Sequence, residues 1–390
     1  MAGQITGLVC QGETLTLTYT ITVNDGHGGT DSEDVTITIS GKNNAPVISI
    51  GANDSDAQPL TETDAALSIS DTLTVTDTNL TDAVTAQVLS GTVKRNNDSP
   101  IPLTNLNGLG WLTLSPTTVL SGTSRTLAAG PLTWTFNPGN EYFNDLAAGE
   151  TLVFSYTIRV TDDAPSPSTA SDDQTITITV TGTNDAPLIT AGPDSATLAE
   201  ADSGLTSSGS LTVADLDTAN SVTVSRTLVA TGNTSDPAAP SSAQLLAMLK
   251  LSANNSTWTD GPLALIDSTG TTAPLYWQFD SGNEAFNYLA AGESLVLTYT
   301  VTATDDDGTP LSDTETITIT ITGSNDAPVI SSGPDAENLT ETNSGLSTLG
   351  SLTVSDVDTS DVVTAARTLL VSGSSDRADP AAPNDASNSA

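Results

Sequence analysis

The octapeptide Gly41-Lys42-Asn43-Asn44-Ala45-Pro46-Val47-Ile48 returns as Gly182-Thr183-Asn184-Asp185-Ala186-Pro187-Leu188-Ile189. It returns again as Gly323-Ser324-Asn325-Asp326-Ala327-Pro328-Val329-Ile330, each time after 141 residues. A fixed period of this size makes the chain an array of one unit, not one large core. It divides the sequence into 1–45, 46–186, 187–327 and 328–390, and only the middle two stretches are complete units. The segment at 143–150 (FNDLAAGE) matches that at 286–293 (FNYLAAGE), and Leu8-Val9-Cys10-Gln11-Gly12-Glu13 is a variant of it. The first stretch therefore reads as the closing part of a unit. At the far end, Asp379-Pro380-Ala381-Ala382-Pro383 copies the mid-unit Asp236-Pro237-Ala238-Ala239-Pro240, so the last stretch reads as an opening part. The chain is expected to be a slice of a longer array.

Within each unit the hydrophobic period is two. Leu295, Leu297, Tyr299, Val301 and Ala303 alternate with Val296, Thr298, Thr300 and Thr302, and Ile317, Ile319 and Ile321 alternate with threonines. The same pair of runs recurs at 152–160 with 176–180 and at 15–23 with 35–39. One apolar face and one threonine face is the pattern of a half-buried antiparallel strand. Clusters such as Asp305-Asp306-Asp307-Gly308-Thr309-Pro310 separate the runs and read as hairpin connections. Trp134 and Trp277 fall at matching strand positions and are expected to fill the cores; only 242–249 looks helical. The fold class that follows is all-β: tandem antiparallel β-sandwiches in a linear array.

Composition narrows the chemistry. Asp and Glu number 47 against 9 Lys and Arg, a net charge of −38, which disfavours nucleic acid and anionic membrane surfaces as partners. No stretch approaches the roughly 20 apolar residues of a membrane span, so no membrane insertion is expected in this segment. Gly7-Leu8-Val9-Cys10 looks like a lipoprotein box only superficially, because Val9 stands where a small residue is expected. A single cysteine, Cys10, and a single histidine, His27 in a glycine-rich turn, leave no Cys/His or Ser/His catalytic pair, and no enzyme activity is expected. Oxygen is abundant instead, from Asp, Asn, Glu and 66 threonines, and hard cations such as Ca2+ take oxygen ligands.

The strand pair, its acidic turn and the Asn325-Asp326-Ala327-Pro328 that follows resemble the end of a cadherin repeat and its linker. More closely, 286–330 (FNYLAAGESLVLTYTVTATDDDG…TITITITGSNDAPVI) is similar to the VCBS repeats of large bacterial surface and secreted proteins. The resemblance implies cadherin-like or immunoglobulin-like domains in tandem, in extracellular or cell-surface adhesin-like proteins. It also implies calcium at the joints, which is well supported for cadherins and inferred for these repeats. Mapped residue by residue, the joint at 182–187 would use Glu62 from the unit before it, Asn184 and Asp185 from the linker, and Asp215, Asp217 and Asp305 from the unit after it. The joint at 323–328 would use Glu200, Asn325, Asp326, Asp356 and Asp358, and Glu341 is the matching glutamate of the last stretch. Five or six oxygens suit calcium's six to eight positions once carbonyls or water complete the shell.

Two departures stand out. Asn144 and Glu150, with Asn287 and Glu293, stand near the place of the cadherin Asp-Arg-Glu motif without matching it. The linkers carry Gly182 and Gly323 where an acidic residue usually precedes the Asn-Asp pair. The joint at 41–46 is expected to bind calcium worst, since it reads Asn43-Asn44 in its linker and Asp77-Thr78-Asn79 downstream. The triple aspartate at 305–307 does not meet EF-hand spacing. The function implied is a calcium-stiffened, non-catalytic extension module. The alternatives are a module binding surface glycan or neighbouring copies of itself, and accessory repeats of a secreted hydrolase.

Overall fold

The computed structural model describes residues 9–104, 108–122, 128–165, 169–332, 335–340 and 342–370. Glu341 and the copied motif at 379–383 lie outside the described residues. Alternation becomes strand wherever the sequence shows it. In the first stretch β1 (Thr14–Asn24) and β2 (Thr30–Ser40) form an antiparallel hairpin with Tyr19 opposite Val35.

The unit at 46–186 contributes β3 (Val47–Ser49), β4 (Ala57–Thr61), β5 (Ile69–Asp77), β6 (Ala83–Arg95), β7 (Ile101–Pro102), β8 (Leu112–Ser115), β9 (Thr118–Ser121), β10 (Ala128–Phe136), β11 (Thr151–Asp162) and β12 (Ser171–Thr181). These make a sheet ordered β3-β5-β10-β8 and a second ordered β4-β12-β11-β6-β7, with β9 also on β6. The next unit repeats the plan with β13 (Leu188–Thr190), β14 (Asp194–Ala199), β15 (Thr206–Ala214), β16 (Val222–Gly232), β17 (Leu249–Ser252), β18 (Leu263–Ile266), β19 (Thr272–Asp280), β20 (Ser294–Asp305) and β21 (Ser312–Thr322). Its sheets run β13-β15-β19-β17 and β14-β21-β20-β16-β18. Two short strands, β22 (Val329–Ile330) and β23 (Val354–Ser355), pair in the last stretch.

Each sheet pair encloses its own core. In β20 every inward residue (Leu295, Leu297, Tyr299, Val301, Ala303) is fully buried, facing Ile317, Ile319 and Ile321 along the sheet. Burying such side chains contributes roughly 1.5–3 kcal/mol each, which the isolated strands could not recover. Trp134 and Trp277 lie in these cores as expected. The Trp277 indole donates to Asp194 Oδ2 at 2.8 Å, so a residue of β19 is tied to β14 in the facing sheet. Trp134 donates to the Ser55 carbonyl at 2.8 Å. Gly209 lies opposite Trp277 in register, and a Cβ there would come within 2.6 Å of the ring. The buried Tyr156 and Tyr299 hydroxyls donate to the carbonyls of Gly108 and Leu245, which removes the cost of an unpaired hydroxyl.

The helical expectation corresponds to α1 (Ser242–Met248), started by a capping box between Ser241 and Gln244. At the same place the described residues of the preceding unit form a 3-10 turn, Leu109–Trp111. The alternation did not reveal one feature. The edge strands β4 and β14 pair in parallel with β12 and β21, while every other named pair is antiparallel. The chain leaves one sheet after β3 or β13 and joins the edge of the other sheet still running in the same direction. An edge strand uses one ladder only, which is why Pro59 is tolerated in β4. Tyr19, Ile21, Ile37, Leu352 and Val354 of the first and last stretches are exposed, where Tyr156, Ile158, Ile178, Leu211 and Val213 at the matching positions are buried.

Candidate metal centres at the unit joints

The strand ends of two successive units meet at 182–187. β4 ends one residue before Glu62, whose backbone N–H continues the edge ladder onto Thr181 O at 2.9 Å. This carries the Glu62 side chain under the linker, where it accepts from the Thr183 N–H at 2.8 Å and from the Thr183 hydroxyl. Downstream, β15 runs into Asp215-Leu216-Asp217. Asp215 Oδ1 accepts from the Asp217 N–H, and Asp217 Oδ2 accepts from the Asp185 N–H at 2.8 Å. At the end of β20, Asp305 Oδ2 accepts from the Asn184 amide at 3.1 Å. Of the residues expected at this joint, Asn184 is thus bonded to Asp305, Asp185 to Asp217 and Asp217 to Asp215, while Glu62 is bonded to Thr183 of the same linker. The 323–328 joint repeats the pattern. Glu200 accepts from the Ser324 N–H at 3.2 Å, Asp358 from the Asp326 N–H at 2.7 Å, and Asp356 from the Asp358 N–H at 3.1 Å. Asn325 donates only to the Asp326 carbonyl.

What these bonds leave over matters more. Asp185 Oδ2, Asp215 Oδ2 and Asp217 Oδ1 are buried oxygens without a hydrogen-bond donor, as are Asp326 Oδ2 and Asp358 Oδ1 at the next joint. A buried carboxylate oxygen with no partner costs several kcal/mol unless a proton or a cation reaches it. The electrostatics say the same. Burial pushes the Asp217 carboxyl up to about 7 against the pull of the Asp185 N–H, and the Asp185, Asp215 and Glu62 carboxylates add to the rise. Asp185 is pushed to about 6 by burial and then by Glu62, Asp64 and Asp215, and Asp215 is raised by burial and by Asp305 and Asp306. The donor set is all oxygen, anionic and under-satisfied, and this fits a hard divalent cation.

Further residues belong to the site. Asn144 donates to Asp64 at 2.7 Å and keeps a buried Oδ1 free, and Asn287 does the same toward Asp202. The Glu62-Thr-Asp64 and Glu200-Ala-Asp202 spacing was a usable signal for Asp64 and Asp202. Glu150 and Glu293 stand apart. Glu150 accepts from its own loop at Ala147 N, from Asn96 and from Arg95, and Glu293 accepts from Ala290 N and Asn233, so both stabilise the turn and face no cation site. The linker glycines also gain a reason. A Cβ on Gly182 would overlap the Leu146 and Ala147 carbonyls, and one on Gly323 those of Leu289 and Ala290. No acidic side chain fits there.

Contacts centred on Thr218 also cross the 182–187 joint: its hydroxyl donates to the Asp145 carbonyl at 3.1 Å. Arg95, at the end of β6, pairs with Asp145 at 2.7 Å and Glu150 at 2.6 Å and donates to Thr218 Oγ1 of the next unit at 3.1 Å. The matching position in the next unit is Gly232, opposite Leu295 as Arg95 is opposite Leu152, so at the 323–328 joint no arginine strut reaches the matching Thr359, whose hydroxyl donates to Asp236 instead. Replacing Arg95 with Ala is expected to broaden the distance distribution between spin labels flanking 182–187 in chelator. The loss in stability should stay near ~1 kcal/mol, as for other partly exposed pairs. An unchanged distribution would remove the strut.

No family model matches the chain, and no curated protein matches it. Similar solved structures include protocadherin gamma B2 extracellular cadherin domains 1–5 (TM-score 0.37, 14% identity, 80% of this chain and 46% of that one). Mouse protocadherin-24 EC1-3 (TM-score 0.30, 14% identity, 78% and 79%) and mouse cadherin-23 EC22-24 (TM-score 0.31, 11% identity, 80% and 74%) are others. The chain spans about half the length of the first of these. At these identities the likeness concerns the fold. Among the described residues no helix is long and apolar enough to cross a membrane.

Proposed function

We propose that the chain is a non-catalytic extension module, a row of β-sandwich units (46–186 and 187–327, flanked by part-units) stiffened by calcium at its joints. The observation carrying this is the set of buried, donor-less carboxylate oxygens of Asp185, Asp215 and Asp217 where two units meet. Glu62, Asn184, Asp185, Asp215, Asp217 and Asp305 would hold the ion at one joint, and Glu200, Asn325, Asp326, Asp356 and Asp358 at the next. The cation would supply charge neutralisation between two bodies that otherwise present like charges to each other. The Asp185 and Asp217 backbone N–H groups fix the Asp217 and Asp215 carboxylates by one oxygen each and leave the other for the ion. The setting that suits such a module is outside the cell, where calcium is millimolar, as part of a surface or secreted adhesin of the bacterial type that the repeats resemble. Direct glycan binding has less support, because Trp134, Trp277, Phe136, Phe279, Tyr156 and Tyr299 are all buried, and the exposed Tyr19 and Tyr142 stand in different units.

Thermal melting in chelator and in 10 mM calcium tests this. Extracellular calcium modules bind at about 0.1–1 mM, and a hundredfold excess over Kd adds roughly 2.7 kcal/mol per site. Melting should therefore rise with calcium and much less with magnesium. Coincident curves in chelator, calcium and magnesium would refute the assignment.

A further inference from the structure

The three joints share one backbone turn but distribute their carboxylates differently within it. In each, an N–H bonds back to the carbonyl three residues earlier: Asp82 to Asn79, Asn220 to Asp217, and Asp361 to Asp358. The turn fixes two side-chain positions, the third and the sixth residue counted from Asp77, Asp215 or Asp356. At 182–187 these hold Asp217 and Asn220, at 323–328 Asp358 and Asp361, and at 41–46 Asn79 and Asp82.

The hydrogen bonds show what the exchange does. Asp217 has two oxygens. Oδ2 takes the linker N–H of Asp185, and Oδ1 remains buried without a donor. Asn79 has only one. Its Oδ1 takes the equivalent N–H of Asn44 at 2.7 Å, and its amide donates to the Lys42 carbonyl at 3.1 Å. Asparagine at this position keeps the linker bond and removes the spare oxygen. At the sixth position the roles reverse. Asn220 acts as a donor, to Asn184 Oδ1 at 2.9 Å and to Asp217 Oδ2 at 3.3 Å. Asp82 instead presents a buried Oδ2 without a donor. It lies with Asp77 and Asp162 so that one carboxylate oxygen from each falls within 4.8 Å of the others. Asp77 is 1% exposed, and its Oδ2 is also buried without a donor, while Asp162 Oδ2 accepts from the Asn43 amide at 2.9 Å. Burial pushes Asp77 up to about 6, with Asp82 and Asp162 adding to it, as expected for three acids sharing one space.

We infer that Asp82 is a cation ligand of the 41–46 joint and replaces there the oxygen that Asn79 cannot supply. The inference rests on the calcium reading of the joints and adds a residue that the linker motif does not contain. On this reading the linker and downstream turn together are short of one carboxylate against 182–187, since Asp82 offsets one of the two acids replaced by Asn44 and Asn79. The sixth position of the turn thereby becomes a place where affinity is set joint by joint, by choosing between an anionic ligand and an amide that restrains its neighbours.

The test uses the full chain. Calcium bound per chain is measured by equilibrium dialysis against free calcium, for the native chain, Asp82→Asn, and the exchange pair Asn79→Asp/Asp82→Asn. The expected result is that Asp82→Asn weakens one class of sites by about tenfold or more, and that the exchange pair, which recreates the turn of 215–220 beside the same linker, restores it. The exchange pair also guards against a folding defect, because it carries the same Asn at 82. Native-like binding by Asp82→Asn would overturn the inference and leave the calcium reading standing. Weak binding by both variants would also overturn it, since the oxygen would then not be interchangeable between the two positions. A native chain that binds no calcium at all would overturn both.

Discussion

Replacing Trp277 with Ala is expected to cost about 3–5 kcal/mol, the range for removing a buried aromatic side chain. Three losses combine: the apolar contacts of a ring with 1% exposure, the cavity left against Gly209, and the indole bond to Asp194 between the sheets. Because the cores around Trp134 and Trp277 share no residue, the damage should stay in one unit. Calorimetry should then split into two transitions, with the unit at 187–327 melting first and the unit at 46–186 near its native temperature. The mirror substitution Trp134→Ala should exchange the order. A single cooperative transition shifted as a whole would mean that the units are coupled more strongly than separate cores allow.

The second large effect is a reversal of pH dependence by calcium. In the cation-free protein Asp77 and Asp185 titrate near 6 and Asp217 near 7, above the ordinary 3.8. Between about pH 4 and 7 the folded chain therefore binds more protons than the unfolded one. The stabilisation from these groups is complete at the acidic end of that window and is lost as pH rises through their folded values. Groups held low, such as Asp54, Asp173 and Asp267, contribute stability that falls away only below about pH 5 and so add little slope between pH 5 and 8. In chelator, melting should fall from pH 5 to pH 8, by on the order of 5 °C. In 10 mM calcium the fall should vanish or invert, since protons and the cation compete for the same oxygens. Equal slopes with and without calcium would show that the raised carboxyls are not the calcium ligands.

The sequence was most informative where the physics is periodic. Alternation at 295–303 and 317–321 needs no long-range knowledge to predict strands and an inward face, and the matched tryptophans marked the cores for the same reason. Glu62, Asp185 and Asp217 could be placed together only through the resemblance, since 121 residues separate Glu62 from its partner Thr183. What stayed hidden depends on atoms, not on residue types. Glu150 and Asn144 are both oxygen-bearing, yet one caps its own loop and the other faces the joint, which only the fold decides. Asp82 escaped because aligning Asn79 with Asp217 registers a lost charge, while its recovery three residues later requires knowing the turn. The Arg95 strut depends on β6 ending level with the joint, and strand register of that kind has no local signal in an edge-facing run.

The parallel pairing of β14 with β21, and of β4 with β12, sets how a unit would carry tension. The entering strand of a unit and its departing strand lie side by side and point the same way, so a pull on the two ends draws them past each other lengthwise. Six residue pairs from Asp194↔Ile317 to Ala199↔Thr322 then take the load together, and none can be opened like a zipper from one end. Only the short β13, held by three residue pairs to β15, can peel first. A chain of such units gives slightly at each entry and then holds. The resistance comes from the backbone ladder, and the cation proposed at the joint would keep the direction of pull aligned with it.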